Sequence, residues 1–86
     1  MKVELEIPEY STHSGFIISW EGDFRIGVTI GKEEVVITAN KFGLRSLARQ
    51  LLTLAQDEVP SGTHFHLDSS TALEDGSASL VFARTE

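Results

Sequence analysis

The sequence predicts an α+β fold: a single amphipathic helix packed on a mostly antiparallel sheet, in the order β-β-β-β-α-β-β. Three features carry that expectation. The stretch Asn40 to Asp57, NKFGLRSLARQLLTLAQD, puts Leu44, Leu47, Ala48, Leu51, Leu54 and Ala55 at the i, i+3, i+4, i+7 spacing of one helical stripe. The segments on either side alternate apolar and polar residues in steps of two, as half-buried strands do. Short connections between neighbouring strands favour antiparallel pairing. A chain of 86 residues builds one core, so residues 1–86 read as one domain.

Each element has a local reason. Val3, Leu5 and Ile7 alternate with Lys2, Glu4 and Glu6, and Pro8 ends that strand. Gly15 to Trp20 is a second strand, with Phe16, Ile18 and Trp20 on one face. Glu21, Gly22 and Asp23 then form a turn in which Gly22 is expected to supply the positive φ. Phe24 to Ile30 alternates most clearly, with Phe24, Ile26, Val28 and Ile30 inward. After a turn at Gly31 and Lys32, Glu34 to Ala39 follows with Val35, Ile37 and Ala39 inward. Asn40 suits the helix N-cap, although Gly43 stands where a capping box would have Glu. Arg45 and Arg49 lie nearer the helix start and Asp57 and Glu58 at its end, opposite to what the macrodipole prefers. Pro60, Ser61 and Gly62 stop the helix, and Thr63 to Leu67 and Ser77 to Ala83 are two further strands.

Composition narrows the function classes. Seven basic against thirteen acidic side chains give a net charge of −6, which argues against a nucleic-acid partner and suits either a basic protein surface or, more commonly, solubility alone. With no cysteine there is neither a disulfide framework nor a thiolate zinc site. No long apolar run or leader pattern occurs, so the expectation is a cytoplasmic protein that does not enter a membrane.

Catalytic chemistry finds little support. His64, His66 and Asp68 fall on one face of a strand, about 6.5 to 7 Å from one to the next, a spacing from which two imidazoles reach one zinc ion. A catalytic centre needs a further fixed ligand, and His13 is the only other histidine. No serine sits in a strand-turn-helix elbow, and no glycine run cradles phosphate ahead of a helix. The expectation is no enzyme, no cofactor and no metal. Following strand polarity gathers the acids at two poles: Glu33, Glu34, Asp57 and Glu58 at one, and Glu21, Asp23, Asp68, Glu74 and Asp75 at the other. The second pole, which adds His64, His66 and the long loop Asp68 to Gly76, is the preferred partner-binding surface. An alternative is a structural or regulatory domain that homodimerises through an open sheet face carrying Val36 and Val81.

From Ala39 to Asp68 the chain runs A-N-K-x-G-L-x-S-L-A-x-x-L-L-T-L-A-Q, then V-P-x-G, then H-x-H-L-D, with Leu73-Glu74-Asp75-Gly76-Ser77 further on. This pattern resembles immunity protein 32, a family of small bacterial immunity proteins of polymorphic toxin systems. The resemblance implies an α+β protein that binds and neutralises a cognate toxin. An acidic chain of this kind suits a basic nuclease toxin, since carboxylates mimic phosphate and steer encounter.

Overall fold

Asn40 decides where the helix begins. In the computed structural model, which describes residues 1–86, Asn40 has extended backbone angles (φ −76°, ψ 175°), and its side-chain oxygen accepts from the Gly43 N–H at 2.8 Å. The helix α1 then runs Lys41–Leu54 and is closed by Ala55, whose N–H donates to the Leu51 and Leu52 carbonyls. Gln56 to Glu58 leave the helix, so it is shorter at its end than the periodicity suggests.

Four strands accompany it. β1 (Ile26–Ile30) pairs antiparallel with β2 (Val35–Ala39), and β3 (His64–Leu67) pairs antiparallel with β4 (Leu80–Ala83). These make two separate two-stranded sheets, which corrects the expected single sheet of six strands. The α+β class with one helix stands.

The two expected N-terminal strands are the ones that do not form. Residues 1–20 contain only an isolated bridge between Ser11 and Gly15. Some of their backbone groups are taken instead by polar side chains of α1 and the turn after it. The Ser19 N–H donates to Gln50 Oε1 and the Ser19 carbonyl accepts from Gln50 Nε2. The Glu21 N–H donates to Ser46 Oγ at 2.9 Å, and the Glu6 carbonyl accepts from Arg49 Nε at 3.2 Å. Gln56 completes the row, donating to the Pro8 carbonyl and accepting from the Tyr10 N–H. These bonds tie the segment to the helix side of the fold in place of a strand ladder.

This arrangement rotates the buried side of the helix. Gly43, Ser46, Leu47, Gln50, Thr53 and Leu54 face inward, while Leu44 and Leu51 are 56% and 44% exposed. Of the six residues in the expected stripe, only Leu47 and Leu54 are therefore core. Ser46, Gln50 and Thr53 are essentially inaccessible, and each has a hydrogen-bond partner, as burial of a polar group requires. The apolar core joins Leu47 and Leu54 to Ile26, Val28, Val59, Phe65, Leu67 and Leu73. Phe65 stacks between Phe16 and Phe82, with ring centroids 5.6 and 5.2 Å away.

Gly43 explains the imperfect capping box. A Cβ at this position would stand 2.5 Å from the Arg25 carbonyl oxygen, 2.9 Å from Ile26 and 3.1 Å from Ala39. The first turn of α1 lies too close to the β1–β2 sheet for any side chain. The helix covers only that end of the hairpin, so Ile30, Val35 and Ile37, expected inward, are exposed. The unfavourable charges on the helix are offset from far along the chain. Arg84, just past β4, donates from Nη1 to the carbonyls of Leu54 and Gln56 and places a cation at the helix C-terminus.

Gly43→Ala should lower the unfolding free energy by about 1 to 3 kcal/mol in urea titrations, the steric cost exceeding the roughly 1 kcal/mol gain in helix propensity. Arg84→Met, which keeps the aliphatic stem, should cost roughly 1 to 2 kcal/mol in the same titration; an unchanged midpoint would remove Arg84 from the account of helix termination.

Candidate functional site

β1 is closed on both edges. Through Gly27 and Thr29 it faces β2, and on the other side segment 74–78 runs beside it. There the Glu74 N–H donates to the Ile26 carbonyl at 2.9 Å and the Ala78 N–H to the Val28 carbonyl at 3.1 Å. Ser77 Oγ accepts the Val28 N–H at 3.1 Å, fixing the loop at its centre.

A polar groove of about 410 Å³ lies over this junction, lined by Arg25, Gly27, Thr29, Thr38 and Asn40 on one side and by Glu74 to Ser77 on the other. Its floor is open because Gly27 has no side chain; a Cβ there would come within 3.1 Å of Thr38 Oγ1. Gly76, at φ +81°, turns the chain so that Glu74 and Asp75 stand on the rim. The groove thus offers two carboxylates, a guanidinium and hydroxyl and amide groups. Such a set suits recognition of a cationic, hydrogen-bonding surface.

The other acids predicted for this pole are distributed around it. Asp23 does not line the groove; its backbone carbonyl accepts from Nδ2 of Asn40, which does, at 2.8 Å. Asp23 itself, and not Gly22, takes the positive φ of the turn, at 61°, a conformation Asp tolerates better than most residues. Glu21 is turned toward α1 instead. Its Oε1 lies 3.9 Å from Arg45 Nη1, a partly exposed pair of little energetic weight, and its Oε2 is buried without a hydrogen-bond partner.

Asp68 serves the chain as a turn former. Its Oδ1 accepts from the Ser70 N–H, the Ser70 hydroxyl and the Thr71 hydroxyl, at 3.0, 2.7 and 3.0 Å. Its backbone carbonyl takes the N–H groups of Thr71, Ala72 and Leu73, and so delivers Leu73 to the core. The Ser70 hydroxyl, then that of Thr71, holds the carboxyl below its ordinary range.

His64 and His66 project outward from β3, as the alternation predicts, with ring centroids 5.0 Å apart and edge to face. His64 Nδ1 lies 2.9 Å from the Gly62 carbonyl, which it meets as donor. No group of three or more His, Cys, Asp or Glu side chains gathers as a ligand set. His66 instead lines a shallow depression of about 350 Å³ with Ile18, Trp20, Phe24, Leu67, Thr71 and Ala72, where Trp20 and Phe24 stack at 4.7 Å. The seven expected residues therefore divide. Glu74 and Asp75 border the groove, Asp23 is joined to it only through Asn40, His66 and Asp68 belong to the neighbourhood of β3, His64 stands further along that strand, and Glu21 lies against α1. The open sheet face is divided too, since Val36 and Val81 belong to different sheets.

Arg25, Asn40, Thr38 and Ser77 line the groove without having been singled out for it. Arg25 was accessible to inference, because it alternates with Gly27 and Thr29 on the outward face of its strand. Ser77 was not, since its role depends on which edge of β1 the distant loop meets.

A family model described as Immunity protein 32 matches residues 34–85, more than half of the chain. No curated protein and no solved structure gives a significant match. No helix is long and apolar enough to cross a membrane.

Asp68→Asn should change the pH dependence of stability. Since the folded carboxyl titrates below its ordinary value of 3.8, its stabilisation is present above that pH and is lost as pH falls through the folded pKa. Urea midpoints of the variant should therefore lie below those of the parent from about pH 5 to 7 and converge with them below about pH 4.

Proposed function

The chain belongs to the immunity protein 32 family, and on that premise we propose that it neutralises a cognate bacterial toxin by stoichiometric protein binding in the cytoplasm, with no chemical step. The family match over residues 34–85 carries this reading. The matched region contains α1, three of the four strands and both rim acids of the groove, Glu74 and Asp75.

In this reading the toxin presents a basic patch to the acid-rimmed groove. Glu74 and Asp75 meet it first, Asp23 extends the negative surface at one end, and Thr38 and Asn40 supply hydrogen bonds. A net charge of −6 steers such a partner at long range, which raises the association rate more than it tightens the final complex. A nuclease is the favoured target, because its own substrate-binding surface is cationic and carboxylates can occupy it in place of phosphate.

The first test is affinity capture of the tagged chain from the lysate and secreted fraction of its own host, with mass spectrometry of whatever binds at near one-to-one ratio. The expected prey is the toxin domain of a larger secreted protein; recovery of nothing except untagged copies of the bait would overturn the reading. With the toxin domain in hand, Glu74→Gln with Asp75→Asn should slow association about tenfold at low salt and much less at high salt. An association rate unchanged at low salt would remove the groove from the interface.

A further inference from the structure

The two edges of the β1–β2 sheet are treated differently. The bonds Asn40 N–H to Arg25 carbonyl and Gly31 N–H to Glu34 carbonyl bracket the ladder, so the residues exchanging bonds within it are Gly27 with Thr38 and Thr29 with Val36. By alternation, Ile26 and Val28 on β1 and Val35, Ile37 and Ala39 on β2 turn their backbone groups outward. On β1 the Ile26 carbonyl and both groups of Val28 are taken by segment 74–78. On β2 no hydrogen bond uses them.

The free edge reads Val35-Val36-Ile37-Thr38-Ala39, with neither charge, proline nor bulge. Val35, Val36 and Ile37 are 56%, 42% and 41% exposed. Natural edge strands are commonly blunted by such devices, and one that lacks them all is a template for another strand.

We infer that β2 pairs with β2 of a second copy of the chain, antiparallel and centred on Ile37. The inference is independent of the toxin reading and goes beyond it. In this register Ile37 faces Ile37, Val35 faces Ala39, and the outward N–H and C=O groups of both strands meet in bonded pairs. What selects the second copy is charge. Beyond the paired residues, the turn that carries Glu33 and Glu34 in one copy comes near Asn40 and Lys41 of the other, where α1 begins. The first turn of α1 contains no acid of its own, and a helix N-terminus favours negative charge. The two-fold axis makes this match twice. Centring the pair on Val36 keeps the backbone bonds but lays Glu33 against Ala39 and loses it. The product is a continuous four-stranded sheet, β1-β2-β2-β1, that closes the open edge of each copy.

An interface this small is weak, so the full chain is examined by sedimentation from about 10 μM to 1 mM, and amide exchange is followed by NMR at both ends of that range. The mass should rise toward two chains, with the Val35 and Ile37 amides becoming protected as it does. Glu33→Lys should weaken the dimer about tenfold, and adding Lys41→Glu should restore it. Both side chains are exposed, so a urea midpoint no lower than the parent's verifies that the fold is intact. A monomer throughout the range, a dimer whose Val35 and Ile37 amides exchange as in the monomer, or a double variant without restoration would each overturn the pairing. Protection that appears only when the captured toxin domain is added to a monomeric chain would overturn it as well, and would assign the edge to the toxin.

Discussion

The side chain of Asn40 is the joint on which the fold turns. Its oxygen accepts from the N–H groups of Gly43 and Arg25, at 2.8 and 3.0 Å, and its amide nitrogen donates to the Asp23 carbonyl at 2.8 Å. One planar group thus starts the helix, holds the entry to β1 and ties both to the end of β2. Because Asn40 is followed so closely by Gly43, the helix leaves β2 almost touching the backbone of Arg25. That contact sets which face of α1 looks inward, and the burial of Ser46, Gln50 and Thr53 follows from it.

Burying those polar residues reverses the usual relation between a helix and its neighbours. An amphipathic helix normally offers apolar contacts and leaves hydrogen bonding to the backbone of each element. Here α1 provides part of the hydrogen bonding for residues 6–21, through Ser46, Arg49 and Gln50, with Gln56 beside them. The helix itself, its N-cap and the hairpin β1–β2 were readable from period and turn chemistry, because those signals are local. The strand pattern of Lys2–Ile7 and Gly15–Trp20 was also present, yet no strand forms there. Alternation reports which side chains are wet, and an extended segment bonded to side chains has the same wet and dry faces as one bonded to a strand. Likewise Leu44 and Leu51 satisfied the helical period but not the direction of packing, which Gly43 imposes.

The groove shows a similar division. Its rim acids were visible as a charged turn, Glu74-Asp75-Gly76, whereas their position beside β1 depends on which edge of that strand the distant loop meets. Asp68 looked like a member of the same acidic cluster, but Ser70 and Thr71 two and three residues on are the partners of an Asx-type turn. That local signal was present and outranks the cluster. The histidine pair was placed on the correct face of β3, and its relation to Trp20 and Phe24 depended on the course of the N-terminal segment.

The contacts that hold this segment also decide how freely it can change in evolution. The partners of Arg49, Gln50, Ser46 and Gln56 are main-chain atoms of Glu6, Pro8, Tyr10, Ser19 and Glu21, which every amino acid offers in some measure. Recognition of that kind constrains the path of the segment and leaves many of its side chains unconstrained. Substitutions on its outer face accumulate at little cost, whereas each polar residue on the helix is answerable for a length of backbone far from it in sequence. Such a division leaves one part of the chain conservative in what it grips and another at liberty to vary in what it displays.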